Sequence, residues 1–229
     1  MDFEVANTRH GFRLVQNGSV LSEVPGKPGP THSVFDFLAA SAVVLASGPR
    51  AALLGFAGGG MMAPLRALGS DLAICAVDLD HRGFDLFSAE CKGWQGDLSF
   101  DRMDAATWLQ DSDEFNVIIE DLSMPTEDDV EKPPVCWREL PEIMDSKLGN
   151  NGVIVTNILP SAGMSWKQML KSFRGACRNS LLVHLNHFEN KILIQTDQEF
   201  GARLVSNRLR KALRSIHSNQ AREFRIERI

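Results

Sequence analysis

Tyrosine is absent from the 229-residue chain, and cysteine occurs only four times. Any site that depends on tyrosine hydroxyls is therefore excluded. The cysteines are irregularly spaced and form no Cys-x-x-Cys pair, which argues against a zinc site or a disulfide framework. No apolar run reaches the roughly 18–20 residues that a membrane-spanning helix needs. The composition, with 44% hydrophobic and 23% charged residues, is ordinary for a globular protein and allows a sizeable core.

Positive charge is also scarce, since the formal net charge is −5 at pH 7. A general nucleic-acid binder is usually basic, so this balance argues against that class. Residues 1–4 lack the basic and apolar segments of a signal peptide. No histidine has partners at metal-ligand spacing, so no metal is expected. We therefore expect a cytoplasmic protein with a small-molecule substrate and no nucleic-acid or membrane partner, and a homodimer stays open.

Residues 1–30 form a zone of their own. Two short apolar segments flank Asn17-Gly18, a dipeptide suited to the positive φ angles of a tight hairpin turn. The proline- and glycine-rich residues 25–30 then interrupt regular structure. The sequence predicts a small N-terminal β-hairpin and linker over 1–30, followed by a second domain over 31–229.

After an amphipathic helix that begins near His32, short apolar runs alternate with helical stretches. The predicted strands are 51–56, 72–77, 115–120, 152–157, 181–185 and 192–196. Predicted helices lie near 61–68, 82–91, 104–110, 135–148 and 165–177, and a final helix covers roughly 200–217. Strands that are apolar almost throughout and separated by helices indicate a parallel sheet covered on both faces. The last two strands are too close for a helical crossover, so they should pair antiparallel.

A glycine-rich turn, Gly55-Phe56-Ala57-Gly58-Gly59-Gly60, joins the first of these strands to a helix. Glycine allows sharp turns and close approach of the backbone to a ligand. The following helix N-terminus offers unpaired N–H groups. The turn therefore suits a nucleotide, although glycines that merely pack a strand against a helix would look the same.

Acidic residues follow the next two segments. Asp78 ends the strand after the glycines, at the spacing where an acid accepts hydrogen bonds from ribose hydroxyls in doubly wound sheets. A solvated acid at a strand end is the alternative. Asp80 is better suited to capping the next helix. Asp104 starts a helix before the strand 115–120, and on spacing alone it could be a plain helix cap.

Four motifs occur in succession: Gly55-x-Ala57-Gly58-Gly59, Val77–Asp80, Asp104-Ala105 and Val117–Asp121. Together they resemble the spermidine synthase-like branch of the Rossmann-like, S-adenosylmethionine-dependent class I methyltransferases. The Asn17-Gly18 hairpin and the stretch 188–191 also resemble that branch, and the similarity covers roughly residues 12–197.

The resemblance implies a Rossmann-like methyltransferase fold with a mostly parallel twisted sheet and an antiparallel C-terminal strand pair. It also implies S-adenosylmethionine, or its decarboxylated form, as the cofactor. The implied contacts are as follows: Gly55, Ala57, Gly58 and Gly59 pass under the methionine-like portion and the ribose, Asp78 holds the ribose hydroxyls, and Asp104 and Ala105 meet the adenine. Ala57 stands where a second glycine is usual, and its side chain is tolerable if its φ is negative.

The loop Asp121-Leu122-Ser123-Met124-Pro125 follows a buried strand and should face the cofactor. It resembles the Asp-x-x-Asp-Pro loop of spermidine synthases, whose two acids position and deprotonate the attacking amine. Asp121 matches the first acid, and Met124 stands in place of the second. Asp121 is the candidate catalytic residue, as a general base or substrate anchor, and its alternative role is to cap the loop. The acidic stretch 127–131 is either a solvated loop or a lid that attracts a cationic substrate.

Several functions stay open. The leading hypothesis is a transferase that uses S-adenosylmethionine or its decarboxylated form, and methyl transfer to an unknown small acceptor is favoured. Aminopropyl transfer to a polyamine needs acids and tyrosines that the chain lacks. A non-catalytic nucleoside-binding or scaffold protein of the same fold is the runner-up, and a nicotinamide-dependent oxidoreductase is a third possibility.

Overall fold

A computed structural model describes residues 3–16, 18–126, 130–161, 163–173 and 179–229. Its centre is an eight-stranded sheet in the order β13-β11-β12-β10-β7-β4-β5-β6. The strands of this sheet are β4 (Arg50–Leu54), β5 (Ala73–Asp78), β6 (Leu98–Arg102), β7 (Phe115–Glu120), β10 (Leu148–Ile158), β11 (Asn179–Leu185), β12 (Lys191–Thr196) and β13 (Phe224–Arg228). The five strands from β10 to β6 are parallel, and β12 pairs antiparallel with both β10 and β11. The predicted mostly parallel sheet with an antiparallel C-terminal pair is confirmed.

The helices are α1 (Val34–Leu45), α2 (Met62–Ala67), α3 (Arg82–Glu90), α4 (Ala105–Asp111), α5 (Glu139–Ser146), α6 (Trp166–Lys171) and α7 (Ala202–Ser215), with short 3-10 helices at Pro134–Trp137 and Asn219–Arg222. Alternate residues of a central strand enter different cores. In β7, Val117 and Ile119 join the cluster that contains α1 and α7, whereas Ile118 joins the cluster under α4 and α5. Burial on both faces explains why the central strands are almost continuously apolar.

A second sheet is formed by β1 (Glu4–Thr8), β2 (Gly11–Gln16) and β3 (Ser19–Pro25), all antiparallel. The predicted hairpin corresponds to β2 and β3, while Asn17 of its turn lies outside the described residues. Phe12, Leu14 and Val24 belong to the same apolar cluster as the main sheet. The division of the chain at residue 30 stays a prediction.

Three strands of the two larger sheets escaped sequence-based prediction. Every residue of β1 is exposed, so it has no apolar signal. The edge strands β6 and β13 carry charged residues at half or more of their exposed positions. These charges obscure the alternation of apolar and polar residues by which a strand is recognised in a sequence. The predicted helix 135–148 is in fact a 3-10 turn followed by α5, and β10 already begins at Leu148. Helix α6 ends at Lys171, and residues 174–177 of its predicted span, including Cys177, lie outside the described part of the chain.

A two-stranded ladder, β8 (Met124–Pro125) with β9 (Val130–Glu131), follows the carboxyl end of β7. It fixes the loop that begins at Asp121 beside the sheet. The rest of the predicted acidic stretch, 127–129, lies outside the described residues. Within the described ranges, no helix is long and apolar enough to cross a membrane.

Candidate functional site

A cavity of about 440 Å³ opens at the carboxyl ends of the parallel strands. Pockets of this size hold small molecules and cofactors. Six of the eight predicted site residues line it: Gly55, Ala57, Asp78, Asp104, Ala105 and Asp121. The strand order β7-β4-β5-β6 places Asp121 at one side of Gly55 and Asp78 at the other, with Asp104 beyond Asp78. The topology therefore brings together residues that are far apart in the sequence.

Gly55 is the point where the glycine turn leaves β4. Its φ of +88° is a conformation that L side chains rarely adopt. A Cβ at this position would lie 2.8 Å from the backbone oxygen of Asp121. The absence of a side chain at Gly55 thus lets the Asp121 loop pass directly beside the turn.

Ala57 has a φ of +45°, so the negative φ at which its side chain would be tolerated without strain is not observed. The carboxylate of Asp78 explains the conformation, because its Oδ2 accepts hydrogen bonds from the backbone N–H groups of Phe56 (2.9 Å) and Ala57 (2.8 Å). A left-handed conformation costs a non-glycine residue about 1–2 kcal/mol. The turn is therefore held in place by Asp78 against a local backbone preference.

Gly58 and Gly59, the other two predicted cofactor-binding residues, do not line the cavity. A Cβ on Gly58 would lie 2.8 Å from Leu14 of the N-terminal sheet, and one on Gly59 would lie 2.7 Å from the ring of Phe56. These two glycines pack the turn against neighbouring side chains, and their role in cofactor binding stays a prediction. Sequence reasoning missed Gly83 in α3, where a Cβ would lie 1.9 Å from the carbonyl oxygen of Ala57.

The two carboxylate oxygens of Asp78 accept different hydrogen bonds. Its Oδ2 holds the turn, and its Oδ1 accepts a hydrogen bond from the N–H of Asp80 at 3.2 Å. It also lines the cavity, where carboxylate oxygens can accept further hydrogen bonds. Asp80 accepts from the backbone N–H of Arg82, the first residue of α3, at 3.0 Å, consistent with its predicted capping role. Hydrogen bonds from the Arg82 side chain lower the pKa of Asp80 to about 2.

Asp104 is the N-cap of α4, as one of its two interpretations predicted. Its Oδ1 accepts hydrogen bonds from the backbone N–H and the hydroxyl of Thr107, at 3.0 and 3.1 Å. The residue also lines the cavity, and so does Ala105. Capping the helix and facing a ligand are therefore compatible roles for this side chain.

Asp121 is the acid at the other end of the cavity. Its Oδ1 accepts a hydrogen bond of 2.7 Å from the amide of Asn157, whose own oxygen accepts one of 2.9 Å from Asn190. No described residue donates a hydrogen bond to the other carboxylate oxygen, Oδ2. Burial raises the pKa of Asp121 to about 6, against the opposing effects of Asn157 and of the Lys132 charge. A carboxylate with that pKa is ionised at neutral pH and can accept a proton.

Directly before Asp121 lies a buried ion pair that the sequence did not reveal. Both carboxylate oxygens of Glu120 accept hydrogen bonds from Lys132 Nζ, at 2.6 and 2.7 Å, and neither side chain is exposed. Glu120 Oε1 also accepts from the N–H of Leu122 at 2.8 Å, and the Cys136 thiol lies 3.6 Å away. Burial raises the pKa of the Cys136 thiol above its usual range. The pair joins the Asp121 loop to the segment 132–136, whose Pro133 and Val135 line the cavity.

The remaining lining is mostly apolar. Leu79 is 68% exposed, and Met103 and Met124 are each 44% exposed, so large apolar side chains face solvent at the cavity. Gln16 of β2 also lines the cavity although the residue is only 9% exposed. Its amide makes no hydrogen bond to the described residues. Nothing in the sequence marked Gln16 or Asn157, because an isolated amide in a strand carries no motif.

No model of a known protein family matches the chain, and no curated protein matches its sequence. Several solved structures do match. A probable spermidine synthase from Corynebacterium glutamicum has a TM-score of 0.75 and 16% identity, over 97% of this chain and 86% of that one. A spermidine synthase in complex with the transition-state analogue AdoDATO has a TM-score of 0.64 and 11% identity, over 95% of this chain and 75% of that one. Human methyltransferase-like protein 13 in complex with SAH has a TM-score of 0.60 and 14% identity, over 80% of this chain and 89% of that one.

The chain therefore has the Rossmann-like fold of the class I methyltransferase superfamily, which the motifs predicted. Spermidine synthases and methyltransferases share this fold. The structural similarity therefore does not determine which reaction this chain catalyses, and the reaction has to be inferred from the residues of the site.

Proposed function

We propose that this protein binds S-adenosylmethionine in the cavity beside the glycine turn and transfers its methyl group to a small acceptor. The observation that carries the proposal is the meeting of Gly55, Asp78 and Asp121 at the adjacent carboxyl ends of β4, β5 and β7. In open α/β sheets, ligands bind in the crevice outside these strand ends. The solved structures of the same fold in complex with SAH and AdoDATO support the choice of ligand.

The residues at one end of the cavity fit a nucleoside. We call this the donor end, and it comprises Gly55, Ala57, Asp78, Leu79 and Asp104. Asp78 would accept hydrogen bonds from ribose hydroxyls on the side that faces away from the turn. The exposed Leu79 and the acid Asp104 would meet the flat face and the amino group of adenine. The donor end thus provides both polar and apolar contacts for an adenosyl group.

The opposite end, which we call the acceptor end, comprises Asp121, Leu122, Ser123, Met124 and Val135. S-adenosylmethionine supplies a methyl group that its sulfonium already activates. The protein therefore has to hold the acceptor in line, exclude water and accept one proton. Asp121, which is oriented by Asn157 and has one carboxylate oxygen free of described partners, would accept that proton.

Met124 favours methyl transfer over aminopropyl transfer. It occupies the position of the second acid in the Asp-x-x-Asp-Pro loop that this loop resembles, and it brings an uncharged thioether to the cavity lining. With tyrosine absent as well, a polycationic acceptor would meet too few partners. We expect no appreciable spermidine from putrescine and decarboxylated S-adenosylmethionine. Robust, Asp121-dependent spermidine formation in a long incubation, measured by mass spectrometry, would overturn this preference.

Decarboxylated S-adenosylmethionine is a second candidate donor for a specific reason. All charged groups among the described residues of the lining are carboxylates: Asp78, Asp80, Asp104 and Asp121. The carboxylate of S-adenosylmethionine would have to rely on backbone N–H groups there, whereas the decarboxylated form carries only positive charge. Binding of the two donors should therefore be compared directly by thermal shift.

A thermal-shift panel with S-adenosylmethionine, its decarboxylated form, its thioether product and NAD tests the proposal. We expect stabilisation by at least one sulfonium nucleoside and by the thioether, but none by NAD. Stabilisation by NAD alone would favour the oxidoreductase. Binding of the nucleosides without methyl transfer to any acceptor would favour the non-catalytic scaffold. The cytoplasmic location and the homodimer stay predictions.

A further inference from the structure

The cavity combines negative charge with an apolar surface. Within the described part of the chain, its lining contains four carboxylates and no lysine, arginine or histidine. An anionic ligand group would meet like charge without a compensating cation among the described lining residues, and that is unfavourable. This charge pattern excludes acceptors with a phosphate or carboxylate and favours cationic or neutral ones.

Three of the four acids are already occupied by the protein. Asp78 binds N–H groups of the turn, Asp80 is paired with Arg82, and Asp104 caps α4. Asp104 keeps one carboxylate oxygen, Oδ2, without a described partner, but it lies at the donor end. At the acceptor end, Asp121 is the one acid among the described lining residues, and its Oδ2 has no partner among the described residues. Glu131, whose Cα pairs with that of Met124, is not part of the lining. Among the described lining residues, the acceptor end therefore offers one negative charge to a ligand.

The surroundings of that charge are apolar or neutral. Leu122, Met124, Pro133 and Val135 present carbon and sulfur atoms to the cavity. Gln16 is only 9% exposed as a residue, and its amide has no described partner, so a polar ligand atom can form a hydrogen bond with it. An amide donates and accepts hydrogen bonds but adds no charge. A second ammonium group would thus meet a thioether or a neutral amide where it needs a carboxylate.

From this arrangement we propose that the acceptor is a monoamine: a single primary or secondary amino group at Asp121 and an apolar body against Met124 and Val135. The inference rests on the proposed methyl transfer. The amine nitrogen forms a bond to the methyl carbon, while the methyl–sulfur bond breaks and its electron pair stays on sulfur. The extra proton on the nitrogen then passes to Asp121 Oδ2. The products are the methylated amine, the neutral thioether and the protonated carboxyl group.

Three ligands of equal chain length provide the test: hexylamine, 1,6-diaminohexane and 6-aminohexanoate. They differ only in their far end, which is a methyl group, an ammonium or a carboxylate. We would measure their binding to the protein saturated with the thioether product by titration calorimetry, and their methylation by mass spectrometry. Hexylamine should bind at least about tenfold more tightly than either of the others, because each of those buries an unpaired charge.

Met124→Asp sharpens the test, since it places a second carboxylate in the loop at an exposed position. This variant should bind 1,6-diaminohexane about tenfold more tightly than the parent does, the gain expected for a charge-assisted hydrogen bond. Met124→Leu, which adds no charge, should keep the parent's order of preference. The melting temperatures of both variants should stay close to that of the parent, since Met124 is a surface residue.

The outcomes separate this inference from the proposed function. Preference for hexylamine, reversed by Met124→Asp, supports the monoamine. Preference of the parent for the diamine or the aminohexanoate, or indifference to all three while the thioether binds, overturns it and leaves cofactor binding intact. Failure of the thioether itself to bind at millimolar concentration would instead refute the proposed function.

Discussion

The two ends of the cavity are built in different ways. At the donor end, backbone geometry dominates: glycines without room for a side chain, a turn held by Asp78, and strand ends that meet by topology. At the acceptor end, side chains from separate segments decide the chemistry, namely Asp121, Met124 and Val135. A methyl donor that many enzymes share can be bound mainly through backbone geometry. Each acceptor, by contrast, requires its own set of side chains. The following predictions test this difference between the two ends.

Asp121→Asn should affect chemistry far more than cofactor binding. The variant keeps the shape of the side chain and can still accept the hydrogen bond from Asn157, but it cannot accept a proton at neutral pH. We expect the methyl-transfer rate to fall by about 10²–10⁴-fold, the usual scale for losing a general base. Affinity for the thioether, measured by calorimetry, should stay within about twofold of the parent. An unchanged rate would show that Asp121 only supports the loop.

The difference in unfolding free energy between Asp121→Asn and the parent should depend on pH. Burial raises the pKa of Asp121 to about 6 in the folded protein from an ordinary value of 3.8. The folded state therefore disfavours the charged form, and this cost is absent below pH 4 and complete above pH 6. Asp121→Asn removes this cost, so at pH 7 the unfolding free energy of the variant should be higher than that of the parent by about 3 kcal/mol. The difference should shrink as the pH is lowered from 6 to 4 in denaturant titrations.

Gly83→Ala tests the donor end through packing. The new Cβ would lie 1.9 Å from the carbonyl oxygen of Ala57, so either α3 or the turn must move. We expect a loss of about 1–3 kcal/mol in stability from this overpacking, with weaker binding of the thioether. Gly93→Ala is the matched control, because nothing lies within 4 Å of the Cβ it would add. If both variants melt and bind alike, the turn is not packed as tightly as we describe.

Asp78→Ala should weaken nucleoside binding by roughly 1.5–3 kcal/mol, the scale of a charge-assisted hydrogen bond. Stability should also fall, because the N–H groups of Phe56 and Ala57 lose their acceptor. Calorimetry with adenosine separates the two effects, since adenosine retains the ribose but lacks the methionine portion. Equal binding of adenosine by variant and parent would remove Asp78 from the site.

Ala57→Gly should have the smallest effect and the opposite sign. A φ of +45° is strained for alanine but not for glycine. Glycine in turn loses more conformational entropy on folding, which opposes this gain. The net result should be a gain of about 0.5–1 kcal/mol in unfolding free energy. Ala42→Gly inside α1 should instead lose about 1 kcal/mol. A destabilised Ala57→Gly would mean that the Ala57 methyl group contributes more than its backbone strain costs.

The contrast between the ends also explains what could be predicted from the sequence. Gly55, Asp78 and Asp104 follow a pattern of spacing that the sheet topology enforces, so their meeting in one cavity was foreseeable. The left-handed Ala57 was not, because its conformation depends on where the Asp78 carboxylate points. Gly58 and Gly59 match the motif as well as Gly55 does, yet they pack against Leu14 and Phe56.

The acceptor end was predictable only in part. Asp121 stood out because it directly follows a buried strand. Its partner Asn157 and the pair of Glu120 and Lys132 depend on contacts across 36 and 12 residues of sequence, respectively, which no local pattern encodes. Gln16 comes from a different sheet altogether. Side-chain contacts between distant segments are set by tertiary packing, and for this reason the acceptor could not be inferred from the sequence alone.

A crystal structure with the thioether product S-adenosylhomocysteine would be the most direct test of whether the cavity beside the glycine turn binds the methyl donor. We expect the ribose hydroxyls to lie within hydrogen-bonding distance of Asp78, the adenine to lie beside Leu79 and Asp104, and the sulfur to lie on the side of Gly55 that faces Asp121. A ribose that contacts neither Asp78 nor the glycine turn, or a nucleoside bound outside this cavity, would contradict it.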